Sequence, residues 1–228
     1  MFKFLNRKKD KSSIHQNDGN SRREKAPSSP KEAYNNILSF ADSVLKNTEE
    51  QKQTYKQFYS KGNQHPILDV VRLLGRNVQT KYLTSLLYHE DETSLPSLFP
   101  DTVYFETTTS LTTDGRKYFD LIKEVKTTKE IDLSKDLVLP WPWQRDRLIN
   151  TICRIGEDRI WGTWKQGIHN HDVQLWLPLG ICWVSGGNHS IASGILQGQG
   201  RLLPKETYDI SELYEYIYTD GINYYRKV

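Results

Sequence analysis

Ile181-Cys182-Trp183-Val184-Ser185-Gly186-Gly187-Asn188-His189-Ser190-Ile191-Ala192-Ser193-Gly194-Ile195 passes from an apolar run through two glycines and short polar side chains into helical spacing. That layout reads as a buried strand, a tight turn and a helix start. The first turn of a helix leaves backbone N–H groups without partners, and the aligned peptide dipoles place partial positive charge there. Gly186 and Gly187 have no Cβ atoms to hold a ligand away from that backbone. The stretch therefore suggests an anion site, with phosphate the expected guest. Gly-Gly-Asn is also ordinary turn chemistry, and Asn188 or Ser190 equally serves as a helix cap.

Upstream, Leu139-Pro140-Trp141-Pro142-Trp143-Gln144-Arg145-Asp146-Arg147 is a proline-stiffened segment delivering Gln144 and Arg145 to the start of a helix expected over 146–156. Strands are expected near 173–177 and 181–185, followed by the turn at 186–190.

In this order of elements, over roughly residues 130–205, the chain resembles the ParB N-terminal domain and sulfiredoxin superfamily, as a divergent bacterial member. Gly186, Gly187 and His189 match the Gly-Gly-Cys-His-Arg turn of sulfiredoxins, with Asn188 in place of the cysteine and Ser190 in place of the arginine. Against the Gly-Glu-Arg-Arg turn of ParB, Gly187 is the strict match. The resemblance implies an α+β fold with a ParB/sulfiredoxin-like mixed sheet, carrying an N-terminal helical extension. It also implies a nucleotide or phosphorylated small molecule as ligand, held by Gln144, Arg145, Arg147, Gly186, Gly187, Asn188, His189 and Ser190. Nucleoside triphosphate with magnesium is the implied cofactor, and phosphoryl transfer or hydrolysis the implied chemistry. Without a thiolate in the turn, sulfiredoxin chemistry is excluded. With Ser190 for the arginine, charge neutralisation falls to Arg145 and Arg147, which otherwise read as a solvated helix face.

His189 is the candidate catalytic residue, an acid or base near neutral pH, or else a histidine that fixes the turn. His169-Asn170-His171-Asp172 fits no strong zinc spacing and reads as a polar turn, so no metal ligand is assigned. All six tryptophans lie between Trp141 and Trp183. Trp176 and Trp183 sit within strands and read as core, whereas Trp161 and Trp164 are candidates for a ligand wall or partner surface.

The chain has 228 residues, 36% hydrophobic and 26% charged, with a net charge of +3. Residues 1–31 carry nine Lys or Arg and three Asp or Glu, a net of +6, while the remainder carries 22 and 25, a net of −3. An acidic body speaks against nucleic acid as the partner, and no helix-turn-helix is recognisable. The basic, polar tail at 1–29 reads as a disordered solubilising segment; contact with nucleic acid or, from the Phe2-Lys3-Phe4-Leu5 start, with anionic lipid is the alternative. No apolar run approaches the roughly 18 residues a bilayer span needs, no secretory signal is visible, and two cysteines make no disulfide framework. These features predict a cytoplasmic protein.

Ser29-Pro30-Lys31-Glu32 has the spacing of a capping box and opens the helical extension expected over 30–95. A second helix follows His65-Pro66, with Ile67, Val70, Val71, Leu74, Val78, Tyr82, Leu83, Leu86 and Leu87 on one apolar face expected to be core. The pair is expected to pack on the α+β domain at 96–228 or on a second subunit, as a homo-oligomer or with a protein partner. Thr102–Thr109 and parts of 131–143 read as strand, 117–125 as helix or strand, 211–217 as helix and 222–225 as a last strand. Asp209 and Asp220 are further candidates to approach the turn. The alternative functional reading is a non-enzymatic, plasmid-, phage- or defence-associated interaction protein whose turn organises a partner surface.

Overall fold

A computed structural model describes residues 27–58, 64–100 and 106–227. The tail at 1–26 and the first part of the segment expected as a strand from Thr102 lie outside the described residues. Glu106 to Thr109 is turn rather than strand.

Helix α1 (Pro30–Thr54) begins as its capping signal predicts: Ser29 is extended, its Oγ accepts from the Glu32 N–H at 3.1 Å, and Pro30 occupies the first helical position. The Glu32 carboxylate reaches back one residue further than expected, to the Ser28 N–H at 2.6 Å. Helix α2 (Ile67–Ser85) starts after Pro66, with His65 Nδ1 accepting from the Ile67 N–H.

Beyond them lie α3 (Tyr118–Leu121), β1 (Lys123–Glu124), β2 (Ile131–Asp132), β3 (Leu137–Leu139) and α4 (Arg145–Arg154). Then come β4 (Val173–Leu177), β5 (Ile181–Val184), α5 (Asn188–Leu196), β6 (Arg201–Leu202) and β7 (Glu206–Asp209). The chain closes with α6 (Leu213–Tyr216), β8 (Ile217–Thr219) and β9 (Tyr224–Arg226).

The principal sheet is mixed, in the order β1-β7-β4-β5-β3. β4 and β5 form an antiparallel hairpin, while β3 runs parallel to β5 and β7 parallel to β4. β5 is buried along its whole length because both faces of the sheet are covered. Ile181 and Trp183 join Trp176, Tyr118 and Leu139 in the core on one face. Cys182 and Val184 join Val173, Leu175, Trp164 and Ile191 on the other, so burial raises the Cys182 thiol far above its ordinary range. The alternation is the period-two pattern that places successive side chains on opposite faces.

Helix α2 covers the β3 edge. Gly75 lies so close that a Cβ there would fall 2.1 Å from Leu137 Cδ2, and Gln79 Nε2 donates to the Val138 carbonyl at 2.5 Å, satisfying an edge group otherwise open to pairing. This close approach narrows the buried face of α2. Val70, Tyr82 and Leu86 are core, but Leu74, Val78 and Leu87 remain exposed, which corrects the expectation of a single buried stripe. Helix α1 packs on α2, and its first turns reach the β8–β9 hairpin, where Tyr34 Oη donates to the Thr219 carbonyl and Lys31 Nζ to that of Asp220. No described helix is long and apolar enough to cross a membrane.

Candidate functional site

β5 ends at Val184, and the N–H groups of Ser185 and Gly186 both donate to the Asp172 carbonyl, at 3.0 and 3.2 Å. Gly187 then turns the chain into α5 from the left-handed region, with φ 74°. The two glycines are demanded by the protein's own packing. A Cβ on Gly187 would stand 2.3 Å from His171 Cδ2, and one on Gly186 would stand 2.9 Å from the Asn170 carbonyl. The expectation that these bare positions face a ligand is corrected here: they face the 170–171 turn.

The side chains after the glycines also serve the fold. Asn188 Oδ1 accepts from the Trp141 N–H at 2.7 Å and His189 Nε2 from the Gln144 N–H at 3.1 Å, joining the start of α5 to the start of α4. Thr151 Oγ1 adds a bond to the His189 carbonyl, and Ser193 Oγ one to Thr151. Ser190 Oγ lies 3.0 Å from His171 Nε2. Because the Gly167 N–H donates to His171 Nδ1 at 2.8 Å, Nε2 carries the proton and donates to Ser190. Trp164 stacks on His171 at 4.8 Å and donates from Nε1 to the Ser190 carbonyl.

What these bonds leave open is the main chain. Helix α5 has no side-chain cap: Asn188 and Ser190 turn their polar atoms to the protein, and no described group accepts from the N–H groups of Asn188, His189 or Ser190. Gly186, Gly187, Asn188 and Ser190 are all partly accessible.

Beside them, α4 starts at Gln144, whose side chain makes no capping bond, with Arg145 half-buried and Arg147 exposed. The Arg145 N–H is tied to the Asp91 carbonyl, which anchors the start of α4. The Arg147 guanidinium lies 5.2 Å over the Trp143 ring, and that ring meets His189 edge-on at 5.8 Å. Burial first, and the charge of Arg147 second, push the His189 imidazole down to about 4. His189 is therefore neutral at pH 7 with Nε2 engaged, which replaces the expected near-neutral titration with a positioning bond.

The remaining candidates divide cleanly. Trp164 is buried and structural, whereas Trp161 is half exposed beneath the Arg154 guanidinium. Asp209 binds the Ser211 N–H, and Asp220 holds the β8–β9 turn through Ile222 and Asn223, which keeps its carboxyl near 2. Among the described residues no trio of His, Cys, Asp or Glu is placed to hold a metal ion. Sequence reading missed His171 and Thr151 as organisers of the turn. His171 reads only as part of a polar turn, and Thr151, inside the expected helix, leaves no signal in the sequence.

A model described as a family of unknown function (DUF6710) matches residues 7–228, and the chain belongs to that family. No curated protein and no solved structure matches it.

Proposed function

We propose that the corner where α4 and α5 begin binds the phosphate of a nucleotide or another phosphorylated small molecule. The observation that carries this is the uncapped first turn of α5, with Arg145 and Arg147 in the adjoining first turn of α4. Open amides at a helix start, the helix dipole and two guanidinium groups together form a phosphate cradle. The order strand, helix, strand pair, glycine turn, helix, with Gln144 and Gly187 opening the two helices, supports a ParB/sulfiredoxin-like fold as the scaffold. Binding is the activity assigned. Among the described residues no trio of His, Cys, Asp or Glu converges, so a magnesium ion would be carried chiefly by the nucleotide's own phosphates, and no phosphoryl-transfer or hydrolysis step is derived.

A second reading, a protein-partner surface, is favoured by the groove between α1 and α2, where Ile37, Phe40, Leu73 and Leu74 stay exposed.

Calorimetric titration with inorganic phosphate, pyrophosphate and a panel of nucleoside triphosphates tests the cradle. Arg147→Glu is the informative variant, because its side chain is exposed; Gly187→Val would collide with His171 whatever the ligand. Loss of one charge-assisted bond of about 1.5–3 kcal/mol weakens binding by roughly 10- to 150-fold, with the circular dichroism spectrum unchanged. Equal binding by the wild type and Arg147→Glu, or binding of no phosphate compound, overturns the proposal.

A further inference from the structure

On the sheet face away from α5, the edge at which β5 ends and β4 and β7 begin opens into a cavity of about 290 Å³. Tyr118, Phe119 and Trp183 wall it with aromatic rings, and Asp172, Lys205 and Glu206 supply its charge. Phe119 is 68% exposed although Tyr118 holds it edge-on at 4.9 Å, so a large aromatic face is fixed in position and left uncovered. The volume lies at the lower end of small-molecule sites, enough for one flat heterocycle.

We infer that this cavity receives the base of a nucleotide whose phosphate lies at the start of α5, and that it selects guanine. The inference rests on the phosphate reading above. The two places share a turn: Ser185 lines the cavity, and Asn188 bears one of the open amides. Three residues of fully extended chain reach about 11 Å at most, which bounds the separation of the cavity's Ser185 rim from the Asn188 amide.

The edge chemistry makes the choice of base. Glu206 accepts from Gln174 Nε2 and Tyr208 Oη on Oε2 alone, and among the described residues no donor meets its Oε1. Lys205 Nζ is held at 3.0 Å from Asp172 Oδ2, which leaves further donors on the ammonium. A carboxylate only accepts, so a base that meets it must donate. Guanine presents a ring N–H beside an amino group, two donors in a row, next to a carbonyl oxygen suited to an ammonium. Adenine and cytosine place a lone pair beside their amino group, and uracil flanks its single N–H with two carbonyls. Each of these sets an acceptor against the carboxylate.

The test titrates the full chain with GTP, ATP, CTP, UTP, guanosine and pyrophosphate. GTP binds at least about tenfold more tightly than the other triphosphates. Phe119→Ala and Glu206→Gln, both at exposed side chains, each weaken GTP about tenfold and leave pyrophosphate unchanged. Arg147→Glu weakens GTP and pyrophosphate alike. Equal affinities for all four triphosphates and pyrophosphate overturn the base assignment and leave the phosphate site standing. A preference for another base, or a GTP preference that survives Glu206→Gln, also overturns it. Guanosine binding without pyrophosphate binding supports the cavity and sinks the phosphate site, and no binding by any compound sinks both.

Discussion

Helices α1 and α5 both carry apolar residues at helical spacing, yet they are used in opposite ways. In α1, Thr48 is the one buried residue among 25, and Ile37, Leu38, Phe40 and Leu45 are all exposed. In α5, five of nine residues are buried, including His189 and Ser193. The difference lies in the partners: α5 rests on a sheet face and is zipped to α4 by side-chain bonds, whereas α1 touches α2 and one hairpin. Apolar periodicity announces that a face wants cover, and only neighbours supply it. The sheet, its paired helices and the face of α2 that covers β3 are therefore where stability resides, and α1 is the exposed arm.

The strongest blow to this comparison would come at Trp164. Its ring is buried, stacked on His171 and bonded to Ser190. Trp164→Ala is expected to cost about 3–5 kcal/mol in denaturant unfolding. A loss below about 1 kcal/mol would place the core elsewhere.

A second effect follows from pH. The pKa values of His189 and His171 are both lowered in the folded chain, by burial first in each case. The unfolded imidazoles take up protons near pH 6.5, before the folded ones, so stability is full above that pH and falls as pH drops toward 4. His189→Gln, which keeps an acceptor for the Gln144 N–H, should flatten part of that slope in urea titrations across the same range. An unchanged slope would mean that His189 does not contribute.

At the arm, Ser29→Ala removes the α1 cap and should cost about 1 kcal/mol, read as faster hydrogen exchange in the first turns of α1 while the sheet stays protected. Equal acceleration in both regions would make them one cooperative unit. The smallest change belongs to Phe40→Ser, expected within about 0.5 kcal/mol of wild type. A larger loss that depends on protein concentration in sedimentation would show α1 covered by a second copy.

Much of the site region was legible. The strands at 173–177 and 181–184, the helix after Gln144 and the turn at Gly186-Gly187 stand where their patterns put them, because each signal is local. The reason for the glycines was not legible, since Asn170 and His171, the groups they make room for, lie on another turn. Nor was the state of His189, because an imidazole's pKa depends on burial and on Arg147 from a different helix. Asn188 and Ser190 read as helix caps or ligand contacts, yet one receives the Trp141 N–H and the other a bond from His171. The strand expected to run through Thr109 failed in its described part: threonines suit pleated backbone, but Glu106–Thr109 pairs with no strand among the described residues, and the Thr109 N–H turns back to the Glu106 carbonyl.

By itself, the sequence determined what short-range physics can settle. Ser29 and Pro30 start a helix, alternating residues give β5 two apolar faces, and paired glycines end it in a turn. The tertiary structure alone decided that α2 buries one side at Gly75 and Gln79 and exposes the other. It decided also that two helix starts meet, with the His189 ring taking the Gln144 N–H and no side chain capping α5. Helix caps and strand alternation act over a few residues, whereas burial, pKa and the convergence of helix ends depend on groups brought together from distant parts of the chain.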